Sequence, residues 1–281
     1  MTYAVEPMTG QDIALAVDWA AAEGWNPGLA DAGCFAAADA GGFFGGYLDG
    51  RMIGSVSVVT YDAAFAFLGF YIVVPEYRGQ GYGHALWKAA WPHAGDRLVG
   101  LDGVVQEQAA YARSGFVLAY RNIRFGGPRP PALPSPWGVG IAAVEGLTAE
   151  IEDYDRPLFP APRPAFLRAW LSAPGHHVRV ARRAGRIAGY GVVRPCRTGW
   201  KIGPLFADDR EVAEALAGAL LAEVRAGEEI FLDAPEPNGA ATALAEALGL
   251  APVFETARMY TGPAPEIDLG RVFGVTSFEL G

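Results

Sequence analysis

Between Gly126 and Trp137 the chain reads Gly-Gly-Pro-Arg-Pro-Pro-Ala-Leu-Pro-Ser-Pro-Trp, and no other stretch constrains its fold as strongly. Proline fixes φ and lacks an N–H, so such a run fits neither a helix interior nor a central strand. It reads as a semi-rigid linker. It falls near the middle of a 281-residue chain. At roughly 100–200 residues per domain, each side is long enough to bury a core of its own. The pattern therefore predicts one domain over 1–127, a linker over 128–137 and a second domain over 138–281.

The apolar periodicity on either side is of one kind. A short strand near Tyr3–Glu6 leads to Thr9-Gly-Gln-Asp12, a capping-box-like start for a helix running to about Glu23. After a turn at Trp25-Asn26-Pro27-Gly28 come a short helix near Leu29–Ala38 and three strands, Phe43–Leu48, Met52–Tyr61 and Ala66–Val74, at hairpin spacing. A helix over Gly81–Trp91, a strand over Leu98–Gly103, a helix near Glu107–Ser114 and a strand over Phe116–Phe125 complete the half. The second half partly repeats this order. Its strands lie at His177–Ala181, Arg186–Arg194 and Gly199–Phe206, followed by a helix at Glu211–Arg225, a strand at Glu229–Asp233, a helix at Ala240–Leu248 and a strand near Val253–Tyr260. Two related α/β units in tandem account for this pattern, whose period is far longer than that of a solenoid.

Composition narrows the function classes. Half of the residues are apolar and 19% are charged, which suits a globular protein. The formal net charge of −9 argues against a general nucleic-acid or anionic-membrane binder, which needs a cationic surface. Two cysteines, Cys34 and Cys196, make neither a disulfide framework nor a zinc site and read as buried small hydrophobes in a cytoplasmic protein. The N-terminus has no basic and apolar leader pattern. No uninterrupted apolar run approaches the roughly 18 residues of a membrane span. The His176-His177 pair lacks a third ligand, so no metal is expected.

The chemistry concentrates after the third strand, in Ile72-Val73-Val74-Pro75-Glu76-Tyr77-Arg78-Gly79-Gln80-Gly81-Tyr82-Gly83-His84. A β-branched run ends there, a glycine-rich turn follows and a helix opens, so backbone N–H groups and a helix N-terminus converge where an anion can sit. No Gly-Lys-Ser/Thr follows, which excludes a Walker A loop, and His84 stands where the dinucleotide fingerprint needs glycine or alanine. Two readings remain: a phosphate binder of a third kind, or a glycine turn without a ligand.

Arg78-x-x-Gly81-x-Gly83, directly after Val73-Val74-Pro75, resembles the acyl-CoA pyrophosphate loop of the GNAT superfamily of N-acetyltransferases. Tyr111-Ala-Arg-Ser-Gly115-Phe116 resembles the Tyr-x-x-x-Gly-Phe element that closes the family's motif region. The resemblance covers 1–127. It implies a mixed α+β fold built as two tandem GNAT-like domains, each a twisted, mostly antiparallel sheet flanked by helices. It also implies acetyl-CoA as cosubstrate, held by the main chain of the third strand, including Ile72, Val73 and Val74, and by Arg78, Gly79, Gln80, Gly81, Tyr82, Gly83 and His84. Tyr111 takes the place of the acid that protonates the departing thiolate. Trp25 and Asn26 lie in the loop that covers the acceptor side in this family.

Two family features are absent. Phe65–Val74 contains no carboxylate, so the third strand supplies no base, and no asparagine stands within Val104–Gln108. Glu23, Asp62, Asp102 and Glu107 are the carboxylates near the cleft, and none is assigned as the base. The second half resembles the C-terminal domain of bacterial tandem proteins similar to YitH, through Ile202-Gly-Pro-Leu-Phe-Ala-Asp208, Phe231-Leu-Asp-Ala-Pro-Glu-Pro-Asn238 and Arg258-Met-Tyr-Thr-Gly262. Where its phosphate loop should stand it has Pro204-Leu-Phe-Ala-Asp-Asp-Arg210, and carboxylates repel a pyrophosphate. This predicts a degenerate domain that does not bind acyl-CoA and either completes the acceptor cleft or stabilises the fold; Asp233, Glu236, Asn238 and Arg258 are candidate acceptor contacts whose alternative roles are in capping and at the surface. The expected activity is acetyl transfer from acetyl-CoA to the primary amine of a small molecule by direct attack. The alternatives are a non-catalytic acyl-CoA sensor and a protein-lysine acetyltransferase. Partners other than the small amine, nucleic acid and membrane included, are not expected.

Overall fold

The computed structural model describes residues 1–130 and 138–281, so most of the linker expected at 128–137 lies outside the described residues. The first half runs β1 (Tyr3–Pro7), α1 (Gly10–Ala22), α2 (Asp31–Ala38), β2 (Phe43–Leu48), β3 (Arg51–Thr60), β4 (Phe65–Val73), α3 (Tyr82–Ala90), β5 (Leu98–Val104), α4 (Gln108–Arg113) and β6 (Val117–Pro128). Local chemistry accounts for these boundaries. Thr9 and Asp12 close a capping box on α1, the Thr9 N–H donating to the Asp12 carboxylate at 2.9 Å and the Asp12 N–H to the Thr9 hydroxyl at 3.3 Å.

The second half repeats the same order more fully than its sequence pattern indicated. Ahead of β8 (His177–Arg183), β9 (Arg186–Pro195) and β10 (Trp200–Ala207) stand β7 (Gly140–Ala143), α5 (Ala149–Asp155) and α6 (Pro164–Leu171). These three were not anticipated. They are short, and Pro164 sits in the first turn of α6, where a missing N–H costs nothing. After them come α7 (Arg210–Leu221), β11 (Glu229–Pro235), α8 (Gly239–Ala247), β12 (Ala251–Tyr260) and β13 (Val272–Gly274).

One sheet runs through both halves in the order β1-β2-β3-β4-β5-β12-β6-β11-β10-β9-β8-β7, with β13 paired to β10. Only β4–β5 and β10–β11 are parallel, so the sheet is mostly antiparallel. The long strands β6 and β12 are exchanged. β12 lies between β5 and β6, pairing Thr256 with Val104 and Tyr260 with Gly100, while β6 pairs Asn122–Pro128 with Glu229–Pro235 of β11. The strand runs on through Gly126-Gly127-Pro128, so the break in the sequence pattern is not a break in the sheet.

Three ion pairs that all but exclude solvent join the halves. Arg194 Nε donates to Asp31 at 3.0 Å. Arg124 grips Asp233 at 2.6 and 2.8 Å, and Arg258 grips Asp102 at 2.9 and 2.6 Å. Planar guanidinium forks match carboxylates in this way, which gives these three arginines a structural role. One apolar cluster also spans the halves, with Phe35 of α2 stacked on Trp170 of α6 at 6.1 Å between ring centroids. Cys34 and Cys196 are free and buried, and burial pushes the Cys34 thiol up to about 12. Among the described residues no helix is long and apolar enough to cross a membrane.

Candidate active site

β4 and β5 run side by side only from Phe65–Leu68 against Leu98–Leu101. Beyond Leu68 they part, where β4 bulges. Ser57 pairs with Gly69 but Ser55 pairs with Ile72, so β4 carries an extra residue there. Phe70 sits at φ +48°, and the buried Ser55 hydroxyl donates to its carbonyl at 2.8 Å. The bulge reverses the alternation of the strand. Phe70 points to the α1–α2 side against Phe35 and Phe43, and Tyr71 to the other side against Trp87. The opening between the parted strands is a cavity of about 700 Å³.

At its mouth lies the glycine turn. Gly81 is the N-cap of α3 at φ +87°, in the left-handed region, with no side chain capping the helix. Over Gly79 and Gly81 there is open space, so an anion can approach the backbone directly. The helix dipole and the N–H groups of its first turn favour negative charge at this point. Arg78 donates its Nε–H to the Val73 carbonyl at 2.7 Å and pairs with Glu23.

Ile72, Val73, Arg78, Gly79, Gly81, Gly83, His84, Trp25 and Tyr111 all line this one cavity. Val74, Gln80 and Tyr82 are interleaved with them but do not line it. The Val74 N–H is tied to Ile53 O, the Gln80 amide to Glu76 O, and the Tyr82 ring lies 4.9 Å from that of Tyr3. Asn26 is also outside it, contrary to expectation. Its side chain exchanges two hydrogen bonds of 2.9 Å with the Thr198 backbone, and its carbonyl accepts from Lys201 at 2.9 Å, so it latches the loop to the second half.

Tyr111 stands on α4, 8% exposed, its ring 6.2 Å from Trp87 and 6.3 Å from Phe116. Burial, with smaller contributions from Glu107 and Tyr71, holds its phenol well above the ordinary value, so it keeps its proton through the neutral range. Of the carboxylates near the cleft, Glu23, Asp102 and Glu107 line it. Asp102 is occupied by Arg258 and by the Asn122 amide. Asp62 is not a lining residue and instead caps the turn before β4 through the Ala64 and Phe65 N–H groups.

The second half reaches the cavity through residues other than those expected. Phe254 and Thr256 of β12 and Phe278 and Glu279 near the C-terminal end of the chain form part of its wall. Of the anticipated contacts, Asp233 and Arg258 are consumed by the buried ion pairs, Glu236 pairs with Arg121, and Asn238 caps α8 while its amide binds three backbone carbonyls. Nothing in the periodicity of 262–281 marked the segment as part of a site.

In the second half the equivalent opening is filled. Beyond the parallel Trp200–Ile202 stretch, β10 pairs with β13, Leu205 opposite Gly274 and Phe206 opposite Val272. The N-terminus of α7 is taken by the chain's own carboxylate, Asp209 accepting from the Val212 N–H at 3.0 Å. Among the described residues no group of three or more His, Cys, Asp or Glu side chains is placed to hold a metal ion.

Residues 12–116 match the family described as Acetyltransferase (GNAT) family, and residues 151–274 match an Acetyltransferase (GNAT) domain. The chain is 32% identical over 280 residues to the holothin acyltransferase of Pseudoalteromonas sp. (strain SANK 73390), covering all of this chain and 95% of that protein. A solved structure from Pyrococcus horikoshii superposes with a TM-score of 0.84 at 22% identity, covering 99% of this chain and 96% of that one. The tandem GNAT protein of the clavulanic acid biosynthesis pathway superposes at 0.64 with 18% identity, covering 94% and 100%. These two likenesses are of fold. A family match in each half, together with full-length identity to an acyltransferase, places the chain in the GNAT family of acyltransferases, with two GNAT domains in tandem.

Proposed function

We propose that this protein transfers an acetyl group from acetyl-CoA to the primary amine of a small molecule, at a single site in the cavity between β4 and β5. The observation that carries the reading is the meeting, in one cavity, of an unpartnered strand edge, an uncapped helix N-terminus and a buried, protonated Tyr111. Acetyl-CoA supplies the activated thioester. The edge of β4 from Gly69 to Val73 has room beside it for an extended amide chain to lie as an added strand. The first turn of α3 receives the pyrophosphate. Tyr111 gives its proton to the thiolate as the carbon–sulfur bond breaks. Trp25 and Phe278 form apolar walls against which an acceptor packs. That the acyltransferase from Pseudoalteromonas is named for holothin favours a small acceptor here too.

The second half contributes walls and not a second cofactor site. β13 occupies its cleft, and Asp209 occupies the helix N-terminus that would hold a phosphate. Thiol release from acetyl-CoA, measured against amino acids, polyamines, aminoglycosides, small aromatic amines and lysine peptides, tests the reading. Turnover with a small amine, and one acetyl-CoA bound per chain, is expected. Turnover on lysine peptides alone, or saturable acetyl-CoA binding with no turnover on any amine, would overturn it.

A further inference from the structure

Glu279 is 2% exposed and lines the cavity, and neither of its carboxylate oxygens has a hydrogen-bond partner among the described residues. An unpaired buried carboxylate is costly, and a fold keeps one only where the cost is offset. The cations around it are already engaged. Arg124 gives its donors to Asp233 and to the Trp25 carbonyl, Lys201 donates to Asn26 O and faces Asp233 at 4.0 Å, and Arg194 holds Asp31. The hydroxyl of Thr256, which also lines the cavity, is likewise buried and without a partner among the described residues. A carboxylate and a hydroxyl with free lone pairs in the lining of one cavity complement a group with N–H bonds to donate.

The segment that carries Glu279 is seated by the bulge. Its carbonyl lies so close to Gly69 that a Cβ there would meet it at 2.1 Å. Tyr61 Oη donates to Leu280 O at 2.8 Å, and the Gly281 N–H to Ser277 O at 3.1 Å. The carboxylate absent from β4 is thus supplied beside β4 from the far end of the sequence.

We infer that Glu279 is the general base of the acyl transfer, with Thr256 of the same cavity lining positioning the acceptor amine. The inference rests on the proposed amine acetylation. As the amine nitrogen forms its bond to the thioester carbonyl carbon, Glu279 takes the proton that the nitrogen must lose. The carbon–sulfur bond breaks, and Tyr111 gives its proton to the sulfur. Transfer of the proton from the Glu279 carboxyl to the Tyr111 phenolate through solvent in the cavity restores both groups. The products are the amide and the free thiol. Burial raises the Glu279 carboxyl above its ordinary range, with Lys201 and Arg124 opposing the rise and Asp31 adding to it, which suits a base that must both take and release a proton.

The test compares the full-length wild type with Glu279→Gln and Glu279→Asp for kcat, for the pH dependence of kcat/KM, for acetyl-CoA affinity and for Tm. For Glu279→Gln the expected result is a loss of kcat of about 100-fold or more, the usual contribution of a general base. Acetyl-CoA affinity should stay within about twofold and Tm should not fall, since no hydrogen bond is removed. The rise of wild-type kcat/KM with pH should flatten in Glu279→Gln, and Glu279→Asp should recover part of the rate. Wild-type kcat in Glu279→Gln would overturn the base while leaving the acyl-transfer reading intact. So would a loss of rate that merely follows a lower Tm or weaker acetyl-CoA binding. A wild type that binds acetyl-CoA but acylates no amine overturns the acyl-transfer reading and the base with it.

Discussion

Replacing Gly69 by alanine tests whether the end of the chain lies on β4 as described. The added Cβ would stand 2.1 Å from Glu279 O, 3.1 Å from Glu279 C and 3.2 Å from Ser57 Oγ. The first of these is far inside van der Waals contact, and the obstacle is backbone, so the segment must withdraw by about 1 Å. It is poorly placed to do so, because Phe278 and Leu280 are 7% and 1% exposed on either side. If the strain is absorbed in place, the cost is about 1–3 kcal/mol, as for other overpacked sites. If the segment lifts off, the ceiling is the burial of Phe278 and Leu280, roughly 1.5–3 kcal/mol each. For a chain of this size these figures correspond to a fall in Tm of roughly 2–10 °C. Calorimetry and limited proteolysis near residues 275–281 read the effect, with Gly10→Ala as control, since a Cβ at Gly10 meets nothing within 4 Å. A Gly69→Ala protein that melts within about 1 °C of wild type and resists proteolysis equally would refute the packing, and with it the placement of Glu279.

Three further outcomes are expected. Tyr111→Phe should lower kcat by about 100-fold or more where chemistry limits the rate, with acetyl-CoA affinity unchanged; equal kcat removes the acid role. Gly81→Val places a β-branched residue at φ +87° over the helix N-terminus and should weaken acetyl-CoA binding by at least about tenfold, read by calorimetry, whereas Asp208→Ala should leave it unaltered. His176 is held down to about 4, chiefly by burial and then by Arg194, with its Nδ1 bonded to Trp170 O at 2.7 Å. The unfolded chain takes up a proton that the folded chain resists, so stability is complete above about pH 6.5 and is lost as the pH falls toward 4, by about 3 kcal/mol at most. Urea titrations of wild type and His176→Phe across that range should converge in slope if another group is responsible.

Much of the fold was legible because its signals are local. The Thr9–Asp12 cap, the hairpin spacings of β2–β4 and the alanine-leucine periodicity of α7 each act within a few residues, and the structure has each element within a few residues of its expected place. Tyr111 was legible for a similar reason, since the turn that follows it sets α4 against β6 over a short stretch. Residues whose partners are distant in sequence could not be placed in this way. Asn26 looked like an acceptor contact because the loop alone cannot show that Thr198 occupies its amide. Asp233 and Arg258 looked like candidate ligands because nothing in their own strands shows Arg124 and Asp102 across the seam.

By itself the sequence determined the tandem α/β plan and the place of the glycine turn that opens α3, because a strand end, a glycine turn and a helix start are contiguous and carry their own geometry. Only the tertiary structure decided that β6 and β12 are exchanged, that β13 closes the second cleft, and that a carboxylate near the end of the chain stands in the first. These choices depend on contacts between segments more than sixty residues apart. Strand pairing and the burial of charge are properties of neighbours in space, and the order of residues along the chain does not specify them locally.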